Sequence, residues 1–150
     1  MANRFQIIPA VYLVLVKDNK ILLSRRHNTG YMNGFYSMIA GHLDGDEPLR
    51  SALAREAKEE AGIDVDVNQM KLIHTMHTKS EVENSTDDER VDFYFQANKY
   101  LGEPNIQEPD KCDDMSWFSL DNLPDNIVPR VKQALEHINN GENFSEFGWK

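Results

Sequence analysis

The feature that most constrains this fold is a segment from Pro48 to Ala61 with helical periodicity. Pro48 suits the first turn of a helix, and Gly62 is a stop signal directly after the last periodic residue. At about 100° per residue, the apolar side chains of the segment form one stripe along the helix. These apolar residues are Leu49, Ala52, Leu53 and Ala57. The pattern therefore predicts a helix that packs on a sheet.

Three glutamates, Glu56, Glu59 and Glu60, fall on this apolar stripe instead of opposite to it. Like charges at this spacing repel, the negative end of the helix dipole adds to the repulsion, and burial requires a cation or protons to resolve it. The alternative is a solvated acidic patch at an exposed helix end, which would place the acids away from the leucines. Carboxylate oxygens at this density indicate a site for Mg²⁺ or Mn²⁺.

The rest of the chain predicts a mixed sheet with helices packed on it. Two short apolar stretches, residues 10–16 and 21–23, flank the turn residues Asp18-Asn19, which indicates a hairpin. A second helix is expected over residues 127–138, where apolar residues recur at helical spacing. Further short strands are expected at residues 35–39, 70–76, 91–97 and 115–118. This order of elements favours an α/β fold, and 150 residues fit one domain.

The segment from Gly41 to Ile63 resembles the signature of the Nudix hydrolases, G-x5-E-x7-R-E-U-x-E-E-x-G-U, where U is a bulky aliphatic residue. Every fixed position matches, and only Ala57 is smaller than the signature asks. The resemblance implies an α/β/α sandwich in which the signature helix and a C-terminal helix flank a mixed β-sheet. The resemblance covers about residues 7–140. We expect a single domain over residues 1–150, with residues 141–150 as a docked C-terminal tail.

The resemblance also implies roles for individual residues. Glu56, Glu59 and Glu60 would bind a divalent metal, and Glu47 would form a structural pair with Arg55. Any of the three glutamates is a candidate general base, with Glu56 favoured. Gly41 would let the chain approach the metal closely.

The sequence departs from the common MutT-type pattern just before the signature, where Ala40-Gly41-His42 replaces Pro-Gly-Gly. The backbone carbonyl of Ala40 remains a candidate metal ligand. Members of the family often supply another acidic ligand from a later loop. The candidates between residues 81 and 89 are Glu81, Glu83, Asp87, Asp88 and Glu89.

The activity implied is metal-dependent cleavage of a nucleoside diphosphate linked to a group X, with Mg²⁺ or Mn²⁺ as cofactor. A nucleoside triphosphate or a modified nucleotide is the expected substrate. Arg25 and Arg26 would clamp its phosphates, unless they are simply exposed at a strand end. Asn33 would bind a base edge, although asparagine is also common in turns. Trp117 or Phe118 would stack on the base, with a core role as the alternative.

The charge balance narrows the partners of this chain. Sixteen basic against 25 acidic residues give a net charge of −9, which argues against binding to duplex nucleic acid or to an anionic membrane. The lone Cys112 excludes an internal disulfide framework, and the N-terminal stretch lacks a signal-peptide cleavage site, so a cytoplasmic protein is expected. Aromatic residues in the tail (Phe144, Phe147 and Trp149) indicate docking onto the body or onto a second subunit of a homodimer.

Two other functions compete with hydrolysis. Isopentenyl diphosphate isomerase shares the fold but uses a catalytic cysteine, and Cys112 lies far from the signature. A non-catalytic nucleotide-sensing module would have lost signature glutamates, and all of them are present.

Overall fold

The computed structural model describes residues 3–80 and 89–149 of the chain. These ranges contain eight strands, two α-helices and the short 3₁₀ helix Val67–Gln69. The strands and helices are β1 (Ile8–Lys17), β2 (Lys20–Arg26), β3 (Tyr36–Ser37), β4 (Ile39–His42), α1 (Leu49–Ala61), β5 (Lys71–Lys79), β6 (Glu89–Ala97), β7 (Cys112–Ser119), α2 (Pro129–Asn139) and β8 (Phe144–Phe147).

The sheet is mixed and is organised around β1. This strand pairs parallel to β6 and antiparallel to β4 and β2. On one side β2 pairs with β3 and β7, and on the other β6 pairs with β5, which also pairs parallel to β8. The strands expected from the sequence are present. The stretch expected as one strand at residues 35–39 contains the whole of β3 and the first residue of β4.

Each face of the sheet carries one helix. Alternate residues of β1 point to opposite faces: Val11 and Leu13 pack in one cluster with Leu53 of α1, whereas Tyr12 and Val14 pack in the other with α2. These two clusters form the two layers of an α/β/α sandwich. The fold class predicted from the sequence is confirmed.

Local signals mark the hairpin and the first helix as expected. Asp18 and Asn19 have φ values of 52° and 60°, which fits a tight turn between antiparallel β1 and β2. Pro48 immediately precedes α1, and Gly62 ends the helix with φ 70° while its N–H donates to the Lys58 carbonyl. The left-handed conformation at Gly62 is the one that glycine adopts without strain.

The C-terminal segment lies along the edge of β5. Strand β8 pairs with β5 from Thr75 to Thr78, and the Trp149 indole N–H donates to the His77 carbonyl at 3.0 Å. None of the helices in residues 3–80 and 89–149 is long and apolar enough to span a membrane.

Candidate active site

The site begins where β4 runs beside α1. Pairing of β1 with β4 sets Gly41 opposite Val11 and Ala40 opposite Tyr12, so this short strand is held firmly in the sheet. A Cβ at Gly41 would lie 2.7 Å from Cγ of Glu56 and closer still to its carboxyl group. Glycine is therefore required for β4 and the Glu56 side chain to come this close.

Glu60 is the most enclosed carboxyl of the site. The Ala40 backbone N–H donates to its Oε2 at 3.2 Å. Burial, together with the neighbouring charge of Glu56, raises the pKa of Glu60 to about 8 against the lowering effect of the Ala40 hydrogen bond. A buried carboxyl beside a second carboxyl favours either a bound proton or a bound cation.

Arg55 ties the acidic residues of the helix and of the preceding loop together. Its Nε and Nη2 each donate to a different oxygen of Glu47 at 3.1 Å. Its Nη1 donates to Glu56 at 3.1 Å and to Glu59 at 3.3 Å. The hydrogen bonds from Arg55 lower the pKa of Glu47, whereas burial raises the pKa of Glu56 against the opposing charge of Arg55.

The glutamates differ in exposure more than the helical pattern predicts. Glu56 and Glu60 lie where α1 meets β4, as expected, but the Glu59 side chain is 51% exposed. Glu59 stays beside the other two glutamates, but its side chain is not buried against the body of the protein as expected. Glu59 lies at the edge of the apolar stripe, one helical turn after Arg55, and its carboxylate pairs with that guanidinium.

The carboxylates are close together but are not gathered into a ready-made metal site. No group of three or more His, Cys, Asp or Glu side chains in the described ranges has that arrangement. Nη1 of Arg55 contacts both Glu56 and Glu59, and the Ala40 amide contacts Glu60. The hard oxygen donors fit Mg²⁺ or Mn²⁺, provided that Glu56 and Glu59 release Nη1 of Arg55.

A cavity of about 510 Å³ opens beside these groups, and we call it the carboxylate cavity. Strands β2, β4 and β7, helix α1 and the loop before β7 surround it. Most of the predicted site residues line it, namely Arg25, Arg26, Ala40, Arg55, Glu56, Glu59 and Glu60. The cavity thus joins an acidic wall from α1 to a basic wall from β2.

Both arginines of β2 have protein partners. Nε of Arg25 donates to Asp113 at 2.7 Å. Nε of Arg26 donates to the Tyr31 carbonyl at 2.8 Å, and its Nη2 donates to the Thr29 hydroxyl at 3.1 Å. These bonds use Nε of each arginine and Nη2 of Arg26, and both residues line the cavity.

Three residues expected to bind the base are not among those that line the cavity. The Asn33 side-chain oxygen accepts hydrogen bonds from the N–H and hydroxyl of Thr29, which closes the loop after β2. Trp117 packs with the core under α1 and stacks on Tyr100, with ring centres 6.4 Å apart. Phe118 packs edge-on against Tyr36 in the core under α2. Asn33 thus has the turn role, and Trp117 and Phe118 the core roles, that were the alternatives to base binding.

The loop before β7 supplies cavity residues that sequence reasoning did not assign. Glu108 lines the cavity, and its charge raises the pKa of both Glu56 and Glu60. The available signal was the acidic cluster at residues 103–114. Of the acidic candidates in residues 81–89, only Glu89 lies within the described residues. It pairs with Nε2 of His77 at 2.8 Å instead of lining the carboxylate cavity.

Residues 7–138 match the family model described as the NUDIX domain. The chain belongs to the Nudix hydrolase family. The chain is 33% identical over 137 residues to the NAD-capped RNA hydrolase NudC of Vibrio atlanticus. This match covers 90% of this chain and 45% of that protein. Its likeness to NudC of Stutzerimonas stutzeri is 26% over 116 residues, covering 77% of the chain and 38% of that protein. The chain therefore spans less than half the length of these curated relatives.

Solved structures agree with the fold. A MutT Nudix hydrolase from Burkholderia pseudomallei superposes with a TM-score of 0.77 at 28% identity, covering 88% of this chain and 98% of that one. A MutT protein from Bacillus halodurans superposes with a TM-score of 0.76 over 96% of this chain and 91% of that one, at 19% identity. The second likeness shows the shared fold alone.

Proposed function

We propose that this Nudix protein hydrolyses the pyrophosphate bond of a nucleoside diphosphate linked to a group X, with Mg²⁺ or Mn²⁺ as cofactor. The observation that carries the proposal is the partly buried Glu60 carboxyl beside Glu56, at a cavity that Arg25 and Arg26 also line. A divalent cation would relieve the repulsion between the carboxylates and would let an anionic diphosphate approach them.

The cation would be held by Glu56, Glu59 and Glu60, with the carbonyl of Ala40 as a further donor. When bound, it supplies positive charge that polarises the phosphoryl oxygens and lowers the pKa of the attacking water. Glu56 is the proposed general base, because its carboxylate lines the carboxylate cavity beside Glu60. Arg55, paired with Glu47, holds the loop before α1 to the helix and balances the charge of Glu56 and Glu59 until the cation binds, and Arg25 and Arg26 bind phosphate oxygens.

The proposed substrate is a small nucleotide, either a nucleoside triphosphate or a modified nucleotide. Two relatives carry the name NAD-capped RNA hydrolase, which supports the inclusion of dinucleotides such as NAD among the compounds assayed. In each case the bond broken is the pyrophosphate bond, and the products are a nucleoside monophosphate and phosphorylated X.

Glu60→Gln tests the proposed function with little change in side-chain volume. We expect turnover with Mg²⁺ to fall by about a hundredfold or more on nucleoside triphosphates, nucleotide sugars, ADP-ribose and NAD, because the variant loses one buried carboxylate ligand. Glu103→Gln, an exposed residue outside the carboxylate cavity, is the matched control. Products are measured by chromatography. Equal turnover by wild type and Glu60→Gln would refute the metal assignment.

The alternative of an isomerase remains testable because Cys112 lines the carboxylate cavity. Burial raises the pKa of the Cys112 thiol, and its Sγ donates to the Asp114 carbonyl at 3.2 Å, so it is a poor nucleophile at neutral pH. We expect Cys112→Ser to retain nucleotide hydrolysis.

Binding of nucleotides without turnover of any of them would favour the sensing module instead.

A further inference from the structure

A second cavity, of about 310 Å³, adjoins the carboxylate cavity and is strongly basic. Arg26, Arg90 and Arg130 line it, and they come from β2, β6 and α2 respectively. We call this space the arginine pocket. It shares Arg26, Thr29 and Ala40 with the carboxylate cavity, so the two spaces lie side by side at β4.

The guanidinium groups of the arginine pocket are held in place by aromatic side chains. The ring of Tyr31 lies 5.4 Å from Cζ of Arg26 and 5.1 Å from Cζ of Arg130. Nη2 of Arg90 donates to the Tyr12 hydroxyl at 3.1 Å and to Asp92 at 3.2 Å. Preorganised donors of this kind bind a ligand with little loss of side-chain entropy.

The positive charge of the arginine pocket exceeds the negative charge beside it. Among the described residues, Asp92 is the carboxylate within 4.0 Å of Arg90 and Arg130, and it is fully buried. Within the described residues, three guanidinium groups line the pocket against this one carboxylate, and the charge of Glu60 acts on Arg26 from the side of the carboxylate cavity. The side chains of Arg90 and Arg130 are only 9% and 16% exposed, so solvent compensates little of that charge.

We propose that the arginine pocket binds a phosphate monoester group that the substrate carries in addition to the diphosphate that is cleaved. A phosphate monoester carries nearly two negative charges at neutral pH, which suits a pocket lined by three arginines, and planar guanidinium groups bind its oxygens in pairs. Because the pocket shares Ala40 and Arg26 with the carboxylate cavity, one extended substrate would contact both. The inference rests on the proposed function and narrows X or the nucleoside to a phosphorylated form.

Inorganic phosphate is the direct probe of the pocket. With EDTA present, calorimetry of the whole chain should show saturable binding of one phosphate, weakened about tenfold or more in Arg130→Gln and in Arg26→Gln, since each loses charge-assisted hydrogen bonds. Arg26→Gln leaves the buried Arg90, Asp92 and Arg130 in place if Arg130→Gln does not fold. Arg50→Gln, an exposed arginine of α1, removes the same charge outside the pocket and should bind phosphate as the wild type does. Binding that is equal in wild type, Arg130→Gln and Arg26→Gln would overturn the proposal.

Matched substrate pairs test whether the phosphate belongs to the substrate. NADP and NAD, and coenzyme A and its 3′-dephospho form, differ by one phosphate monoester and share the diphosphate. We expect kcat/KM with Mg²⁺ to favour the phosphorylated member of at least one pair by about tenfold, and Arg130→Gln to reduce that ratio towards one. Arg50→Gln should keep the wild-type ratio.

The two assays separate the inference from the proposed function. Phosphate binding with equal turnover of both members of every pair would assign the pocket to free phosphate and overturn its role in substrate choice. Phosphate binding without hydrolysis of any compound would contradict the hydrolase function, while it would support the phosphate pocket.

Discussion

At the scale of single residues, the site depends on the balance between burial and charge at α1. Glu60 lies in the least solvated position, where a carboxyl holds a proton to about pH 8. Arg55 instead compensates the negative charges of Glu56 and Glu59, and the same guanidinium group also hydrogen-bonds Glu47. The metal-free protein therefore stabilises its acids by two routes, protonation of Glu60 and pairing with Arg55.

The raised pKa of Glu60 predicts how stability varies with pH. A carboxyl whose folded-state pKa lies above its unfolded value of 4.5 contributes stability below pH 4.5, and this stability is lost as the pH rises through about 8. Without metal, we expect Glu60 to remove on the order of 3–5 kcal/mol of stability between pH 4.5 and 9. Urea unfolding in EDTA at several pH values measures this loss.

Glu60→Gln is the control for this pH dependence, since glutamine does not titrate. Its stability should change less with pH than that of the wild type. Metal requires the deprotonated carboxylate, so Mg²⁺ should stabilise the wild type more at pH 8.5 than at pH 6. A pH profile identical in wild type and variant would contradict the assignment.

Gly41→Ala tests the close approach of β4 to α1. The added Cβ would overlap the Glu56 side chain, and we expect a loss of about 1–3 kcal/mol in stability together with a fall of at least about tenfold in kcat/KM. Thermal unfolding and steady-state kinetics measure the two effects. Adding Glu56→Ala, which removes the side chain beyond Cβ, should restore stability without restoring activity. A fully active Gly41→Ala would contradict the role of this contact.

At the scale of elements, α1 is positioned by its two ends. Pro48 precedes its first turn, and Gly62 ends it in a left-handed conformation. Lys58 is the basic residue of the last turn, where it opposes the negative end of the helix dipole. The length of α1 is therefore set locally, and its rotation about its axis is set by packing of Leu53 and Ala57 on the sheet.

Gly62→Ala tests the end of the helix. An L-residue with φ near 70° costs about 1 kcal/mol, and a Cβ at Gly62 would also lie 2.9 Å from Nε2 of Gln107. Gly141 has φ 75° with nothing within 4 Å of an added Cβ, so Gly141→Ala is a matched control with the backbone cost alone. We expect Gly62→Ala to lower the free energy of unfolding more than Gly141→Ala does. A neutral Gly62→Ala would refute the strain argument.

At the scale of the whole molecule, the sheet connects the site to the C-terminal segment. Strand β8 covers the edge of β5, and buried His74 joins the two by hydrogen bonds to the Ser145 hydroxyl at 2.7 Å and the Glu142 carbonyl at 2.9 Å. Strand β5 pairs with β6, which carries Arg90 and Asp92 of the arginine pocket. Pairing of β8 with β5 thus extends the sheet next to β6, the strand that carries two residues of the arginine pocket.

Ser145→Ala measures this connection. We expect a loss of about 1–2 kcal/mol in the free energy of unfolding, because one nitrogen of buried His74 loses its hydrogen-bond partner. Glu146→Ala, at the exposed next position of β8, should change stability by less than about 0.5 kcal/mol. Chemical unfolding curves compare the two. Equal effects would show that the His74–Ser145 bond contributes little.

Much of the site could be predicted because its central part is local in the chain. Glu56, Glu59 and Glu60 lie within one helix whose periodicity is visible in the sequence. Gly41 and Glu47 come shortly before it in the same segment. The cavity walls could not be predicted in the same way. Glu108 and Cys112 approach the glutamates only because β7 pairs with β2, and the sequence pattern does not specify that register.

The sequence by itself determined the α/β class, the hairpin at Asp18-Asn19 and the acidic helix between Pro48 and Gly62, because helical period, turn residues and helix-end signals act over a few neighbouring residues. Tertiary structure decided the exposure of Glu59, the core positions of Trp117 and Phe118, and the meeting of three arginines from separate elements. Periodicity specifies which face a side chain occupies. What that face meets depends on strand order and register, which arise from contacts between residues far apart in the chain.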